Sequence, residues 1–328
     1  MAESRIAVIG ATGAVGAVTL RLLRERGYEN VRAFASARSS GQTLEGGIVV
    51  EEATPEALAA GDIDLALFSV GTSASLELVP HVVRGGAVAI DKSSAYRLEP
   101  GIPLVVPEVN GASALANDGI VANPNCCTIP LTCVLKPLHD AAGLKRVRVS
   151  TYQSVSGAGA QRMEQLRAEP QEQHNLAMDW SWDGDETDEE SKIRAEAQKI
   201  LELPELPISA TTVRVPVLVG HAEAVWVELD DALTAAQATK ILSRAPSVRV
   251  VDVPTPGDAA KTDQVLVGRI RPDRAGENGL VLFLACDNLV KGAALNAIQI
   301  AELMLGGAVS DTRSVIRQGA AAVPPVRS

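Results

Sequence analysis

The chain of 328 residues reads as an α/β protein with two parts. The first is a Rossmann-like, doubly wound parallel sheet. The second is an α+β domain whose sheet is mostly antiparallel or mixed. Three observations predict this. Short apolar strands alternate with helix-spaced stretches over the first third. After about Lys145 the strands lengthen and the helices thin out. A glycine-rich turn, "GATGAVG" (residues 10–16), joins the first strand to the first helix.

The elements follow in order. "RIAVIG" is a short buried strand, and "AVGAVTLRLLRERG" has helical spacing that stops at Gly27. "VRAFAS" and "DLALFSV" are the next strands. "TSASLELVPHVVRGG" is a helix, "AVAIDKS" a fourth strand and "PLVVPEVN" a fifth. Thr128 to Asp140 reads as a helix stopped upstream by Pro124. "KRVRVSTYQSVSGAG" is then a long alternating strand ending in a Gly-rich turn. "SATTVRVPVLVGHAEAVWVELD" alternates over an unusual length, and "VRVVD", "QVLVGRIRPD" and "GLVLFLACD" add three strands. "TAAQATKILSRA" is a helix. The apolar "KGAALNAIQIAELML" is a last helix suited to pack back on the first domain.

Composition narrows the function. With 46% hydrophobic residues the chain can bury a real core, and with only 3% aromatic residues it suits helix-covered parallel strands. A net charge of −10 disfavours a nucleic-acid partner. No apolar run reaches membrane-spanning length, and the polar start is unlike a secretory signal. The four cysteines then suit a reducing cytoplasm, and their spacing fits no metal site.

Five stretches carry candidate chemistry, and each has a plainer reading. In "GATGAVG", glycines permit close approach of a pyrophosphate to a helix N-terminus; Gly10, Thr12, Gly13, Ala14 and Val15 would line it. The plainer reading is a tight strand-to-helix turn, but the strand–turn–helix context favours nucleotide binding. The second strand runs into "SARSSG" with no acidic residue. Ser36, Arg38 and Ser39 suit a 2′-phosphate, and equally suit an ordinary polar loop. "NPNCCT" puts Cys126 and Cys127 at a helix start, where a thiolate is stabilised; two small buried fillers explain that stretch as well. In "TYQSVSGAG", Gln153 and Ser156 end a strand at a small-residue turn. In "RVPVLVGHAE", Arg214 suits a carboxylate and His221 an acid or base, unless His221 is structural. Glu189 and Lys192 are three apart, so on a helix they share a face; with the acidic run from Asp183 to Glu190 this reads most simply as solvated surface.

The order of these motifs decides among the readings. "GATGAVG", "SSAYR", "PLVVPEVN", "NPNCCT", "TYQSVSGAG", "ESKIRAEAQKI", "RVPVLVGHAE" and "DNLVKGAALNAIQIAE" together closely resemble the aspartate-β-semialdehyde dehydrogenase family over nearly the whole chain. The mechanistic neighbour, N-acetyl-glutamyl-phosphate reductase, typically has Gly before its cysteine and Tyr after it; here Asn125 and Cys127 stand there.

The resemblance implies roles. Cys126 is the nucleophile, Gln153 orients the acyl group and His221 is the acid/base. Arg214 binds the substrate carboxylate, Glu189 its ammonium, and Arg97 with Lys192 the phosphate, while Asn125 lies beside the nucleophile. Ser156, Gly157 and Asn288 lie near the nicotinamide. The implied reaction is the reversible, NADP-dependent conversion of L-aspartyl-4-phosphate to L-aspartate-4-semialdehyde and phosphate. It serves biosynthesis of lysine and diaminopimelate, methionine, threonine and isoleucine. The implied partners are the small-molecule substrate, phosphate and a second subunit, as a homodimer or a tetramer, with no metal. Residues 1–125 form the NADP-binding domain, completed by a helix at about 290–310. Residues 126–289 form the catalytic and dimerisation domain, and residues 311–328 a flexible tail.

Three departures stand out. Cys127 replaces the family's usual Ser or Thr, Lys92 replaces its usual Asn, and the segment 161–179 is short.

Overall fold

A computed structural model describes residues 4–169 and 180–306. The expected tail at 311–328, and residues 170–179 of the short segment, lie outside the described residues.

The first domain runs β1 (Ile6–Ile9), α1 (Ala14–Glu25), β2 (Val31–Ala35), β3 (Val50–Glu52), α2 (Pro55–Leu58), β4 (Leu65–Phe68), α3 (Thr72–Arg84), β5 (Val88–Asp91), α4 (Pro107–Asn110) and β6 (Ile120–Ala122). The sheet order is β3-β2-β1-β4-β5-β6, and every neighbouring pair is parallel. The crossover therefore changes direction between β1 and β4, and the crevice at their carboxyl ends is where such sheets bind ligands. The central strands β1 and β4 are buried on both faces. Ala7 and Ile9 of β1 join one apolar cluster, Ile6 and Val8 the other.

The second domain starts with α5 (Thr128–Ala142) and β7 (Leu144–Ser154). It continues through α6 (Ala160–Ala168), the two-residue strands β8 (Trp182–Asp183) and β9 (Glu186–Thr187), α7 (Asp188–Leu201), β10 (Ile208–Val215), β11 (His221–Leu229), α8 (Ala235–Leu242), β12 (Val248–Val250), α9 (Pro256–Ala259), β13 (Val265–Pro272) and β14 (Gly279–Cys286). Its six-stranded sheet is ordered β10-β7-β11-β14-β13-β12 and is mixed. The two outer pairs are parallel and the three inner pairs antiparallel. Helices α5, α7 and α8 cover one face. On the other face Tyr152 and Trp226 remain at least partly exposed, beside Arg148 and Ser150.

A π-type turn at Val290–Ala294 leads into α10 (Leu295–Met304). This last helix returns to the first domain, where Ala297, Ile298, Ile300 and Ala301 join the β1 cluster containing Leu23 of α1.

The structure corrects the sequence reading at three places. "PLVVPEVN" is not a strand: only Leu104 bridges to Ala122, and Pro107, which lacks an N–H, opens the short helix α4. The edge strands β3 and β6 take the remaining places; three residues are too few to show a period. The long alternating stretch divides at Gly220, whose φ is +97°. A Cβ there would stand 2.6 Å from the Pro256 carbonyl oxygen. The acidic run is not all surface. Thr187 and Glu190 form a reciprocal capping box that starts α7, and Glu189 and Glu190 are both buried.

Candidate active site

A cavity of about 310 Å³ opens where the two sheets meet. The β1 turn and β5 bound it on one side. The Asn123–Pro124–Asn125 turn, the end of β7 and the start of α7 bound it on the other.

Cys126 lies on that turn, directly before the first residues of α5. Asn125 fixes the turn from three directions. Its N–H donates to Glu196 Oε2 at 2.6 Å, its amide donates to Glu189 Oε1 at 2.9 Å, and its own Oδ1 accepts from the Cys127 N–H at 2.8 Å. Gly292 of the π-type turn faces the same spot, and a Cβ there would come within 3.3 Å of the Cys126 Cβ. The two cysteines therefore diverge. Cys126 lines the cavity and Cys127 is fully buried. The Cys127 thiol donates to the Cys126 sulfur. That bond, with the His221 ring and the Arg214 charge, holds the Cys126 thiol well below its ordinary value, against the effect of burial. Burial and the role of donor push Cys127 well above it.

Strand register brings the other groups to one place. β7 and β10 run in parallel with Gln153 opposite Arg214. The Arg214 Nη1 donates to the Ser154 carbonyl at 3.0 Å, and the guanidinium stacks 4.6 Å from the Trp180 ring. β11 begins at His221, which closes on Cys126 with Nε2 to Sγ at 3.2 Å. The Ser154 backbone N–H donates to His221 Nδ1 at 3.0 Å. Nδ1 is thus an acceptor, and the neutral ring carries its proton on Nε2, facing the sulfur. Ser154 Oγ, 3.1 Å from Nδ1, can accept a hydrogen bond from Nδ1–H when the ring is charged.

The α7 stripe Glu189, Ile193, Glu196 and Ile200 points inward. Glu189 accepts from the Asn125 and Gln153 amides. Burial raises its carboxyl above the ordinary range, and the Cys126 charge adds to this. Glu196 is fully buried and binds Arg97 at 2.8 Å. Arg97 also donates to the backbone carbonyls of Asn123 and Lys92. Glu196 escaped the sequence reading, although it follows Glu189 by seven residues and so shares its face.

Beside the end of β7, Asn288 Oδ1 accepts from the Ser154 and Ser156 hydroxyls and from the Gly220 N–H. A Cβ on Gly157 would meet Arg214 Nη1 at 3.0 Å and His221 Nε2 at 3.2 Å, so a larger residue there presses on both side chains. The glycine turn fits a dinucleotide. A Cβ on Gly10 would stand 2.4 Å from the Ser69 carbonyl oxygen, and one on Gly16 would stand 2.1 Å from the Gly10 carbonyl oxygen. α1 starts at Ala14 without a side-chain cap, so its first N–H groups face outward. Val15 lines the main cavity, and Thr12 lines a second cavity of about 230 Å³ beside α1. Ser36, Arg38 and Ser39 sit on the 3-10 turn after β2, with Ser36 and Arg38 exposed.

The structure does not bring Lys192 into the cavity. Its Nζ bonds Asp188 Oδ2 at 2.7 Å, one turn back on α7. Cys126, Cys127 and His221 set three donor atoms within 4.8 Å of one another, and two of them, the Cys126 sulfur and His221 Nε2, stand 3.2 Å apart.

Residues 5–117 match the profile of the semialdehyde dehydrogenase NAD binding domain, and residues 135–291 match that of the semialdehyde dehydrogenase dimerisation domain. The aspartate-semialdehyde dehydrogenase of Corynebacterium melassecola is 45% identical, over 92% of this chain and 99% of its own length. This chain belongs to the aspartate-semialdehyde dehydrogenase family. Solved structures agree. The Vibrio cholerae aspartate semialdehyde dehydrogenase II complexed with ASA has a TM-score of 0.87 at 38% identity, over 92% of this chain and 98% of that one. The Candida albicans aspartate semialdehyde dehydrogenase with NADP has a TM-score of 0.75 at 25% identity, with the same coverage. The first match spans β1 to β5 of the parallel sheet, and the second spans β7 to β14 of the mixed sheet.

Proposed function

We propose that this chain catalyses the reversible, phosphate-dependent conversion of L-aspartyl-4-phosphate and L-aspartate-4-semialdehyde, with NADP as the cofactor. One observation carries the reading. A cysteine that lines a cavity stands 3.2 Å from a buried histidine, and the same cavity holds a guanidinium and a buried carboxylate.

In the reductive direction the Cys126 thiolate attacks the acyl carbon. The bond to the phosphate oxygen breaks, and phosphate leaves toward Arg97, which gives a thioester on Cys126. When bound, the nicotinamide supplies hydride to that carbon, or accepts it in the reverse direction. With Cys126 as thiolate and His221 as imidazolium, His221 gives its Nε2 proton to the oxygen as the hemithioacetal forms and takes it back as the hemithioacetal collapses to aldehyde and thiolate; Ser154 Oγ accepts a hydrogen bond from Nδ1–H. Gln153 holds the carbonyl. Arg214 grips the α-carboxylate with its fork, and Glu189 receives the α-ammonium. The clamps make the attack effectively unimolecular.

Glu189 also favours this substrate over an N-acylated homologue. Among the described residues its hydrogen bonds come from two amides, and an ammonium supplies the cation that an N-acyl group lacks. The residues suited to hold NADP are Gly10 to Val15 at the pyrophosphate, Ser36, Arg38 and Ser39 at the 2′-phosphate, and Ser156, Gly157 and Asn288 near the nicotinamide. The open face of the second sheet, with Tyr152 and Trp226, is the surface we assign to a homodimer. Four free cysteines suit the reducing cytoplasm.

The test is phosphate-dependent reduction of NADP and of NAD with L-aspartate-4-semialdehyde, against the longer N-acetylated aldehyde. Preference for the aldehyde with a free ammonium, and for NADP, is expected. Turnover of the N-acetylated aldehyde alone would replace the reading by that of an N-acyl-glutamyl-phosphate reductase.

A further inference from the structure

The phosphate pair implied by the sequence is Arg97 with Lys192. Arg97 lines the cavity, but Lys192 does not: its ammonium is held by Asp188. A different lysine occupies the pocket. Lys92 follows β5 at the carboxyl edge of the first sheet and lines the same cavity as Arg97, Asn125 and Cys126. Its Nζ is buried, and among the described residues no group accepts a hydrogen bond from it. The adjacent carboxylate does not take it up. Asp91 receives the Ser75 hydroxyl on one oxygen at 2.7 Å and the Ser93 hydroxyl on the other at 2.5 Å.

Lys92 and Arg97 also share an anchor, because Arg97 Nη2 donates to the Lys92 backbone carbonyl at 2.7 Å. A guanidinium fork and an ammonium point charge thus rise from one knot of backbone beside the nucleophile. The other charged groups on the cavity wall are Cys126, Glu189 and Arg214. Of the carboxylates nearby, Glu196 is committed to Arg97 and Glu189 to two amides.

We propose that Lys92 is the second cation of the phosphate site in this chain, so that the leaving phosphate is received by Arg97 and Lys92 together. An oxyanion is the ligand that such a pair lacks. Burial draws Lys92 down to about 7, so an arriving dianion would draw a proton back onto it and gain a full charge pair. The position combines a cost to the empty site with a gain on binding, which suits recognition of a doubly charged leaving group.

This inference rests on the function proposed above, and the experiment separates the two. Binding of inorganic phosphate to the full chain is measured by calorimetry, without turnover, for wild type, Lys92→Met, Lys92→Arg and Lys192→Met. The phosphate and semialdehyde KM values are measured alongside. Lys92→Met is expected to weaken phosphate binding and raise the phosphate KM about 10-fold or more, the size of one lost charge-assisted bond. The semialdehyde KM stays in place, and Lys92→Arg restores much of the loss. Lys192→Met weakens phosphate less than Lys92→Met does. Equal phosphate binding by wild type and a folded Lys92→Met overturns the assignment, whatever the turnover. A larger loss in Lys192→Met than in Lys92→Met also overturns it. A wild type that binds phosphate through Lys92 but does not oxidise the semialdehyde would instead remove the proposed function and leave the site standing.

Discussion

The Cys126 sulfur and the His221 Nε2 stand 3.2 Å apart, although 95 residues separate them in the chain. The contact exists because the turn before α5 and the first residue of β11 meet over one edge of the second sheet. The proton on Nε2 faces the sulfur because Nδ1 is taken by the Ser154 N–H. Behind the sulfur, the Cys127 thiol donates to it.

This arrangement separates the two cysteines by experiment. Cys126→Ser is expected to lower turnover by about 10⁴-fold, as loss of a nucleophile does. Cys127→Ser keeps a donor, and turnover should stay within about five-fold, the scale of one hydrogen bond. Cys127→Ala removes the donor, so the pH profile of Cys126 alkylation should move upward. Steady-state rates and alkylation rates decide it; a dead Cys127→Ser would exchange the roles.

Arg214 is held by the Ser154 carbonyl and the Trp180 ring in a geometry that a lysine cannot copy. Arg214→Lys should raise the substrate KM by about 10- to 100-fold, the range for a lost bidentate contact. Unchanged kinetics would take Arg214 out of the site.

A methyl group on Gly157 would press on Arg214 Nη1 at 3.0 Å and on His221 Nε2 at 3.2 Å. Gly157→Ala should lower kcat by about 10- to 100-fold through displacement of the pair, with little change in melting temperature. Wild-type turnover in this variant would show that the pair tolerates a shift.

Arg38 is exposed after β2, on the 3-10 turn where a 2′-phosphate would sit. Arg38→Ala should raise the KM for NADP about 10-fold or more while leaving that for NAD in place. Parallel losses for both cofactors would assign Arg38 another role.

Glu223, two residues after His221, is fully buried, and burial raises its carboxyl well above the ordinary value of 4.5. The folded chain therefore keeps a proton that the unfolded chain has released. The stability this gives is complete below about 4.5 and is lost as pH rises toward the folded value. Glu223→Gln is neutral in both states. Its stability to denaturant should gain on wild type as pH rises above about 4.5, by up to about 1.4 kcal/mol per pH unit. A pH-independent difference would mean that Glu223 is ionised in the folded protein.

The sequence by itself determined the alternation of short strands and helices, the glycine turn, the switch to a second sheet and the place of Gln153 at the end of a strand. These are local patterns of period and turn chemistry, and a chain carries them wherever it goes. It also carried the family's motif order, which named Cys126 over Cys127 before any geometry was known.

The tertiary structure decided what depends on distance between remote segments. It put Glu196 rather than surface solvent against Arg97. It paired Lys192 with Asp188 and left Lys92 in the cavity. It fixed the His221 proton through a backbone N–H on a neighbouring strand. "PLVVPEVN" shows the limit from the other side. Its apolar run suited a strand, yet Pro107 started a helix and the sheet filled its edge from Ile120–Ala122 instead. Periodicity reports which face of an element is buried. Which group meets which across that buried face is set by register and crossing geometry, and those exist only once the elements have packed.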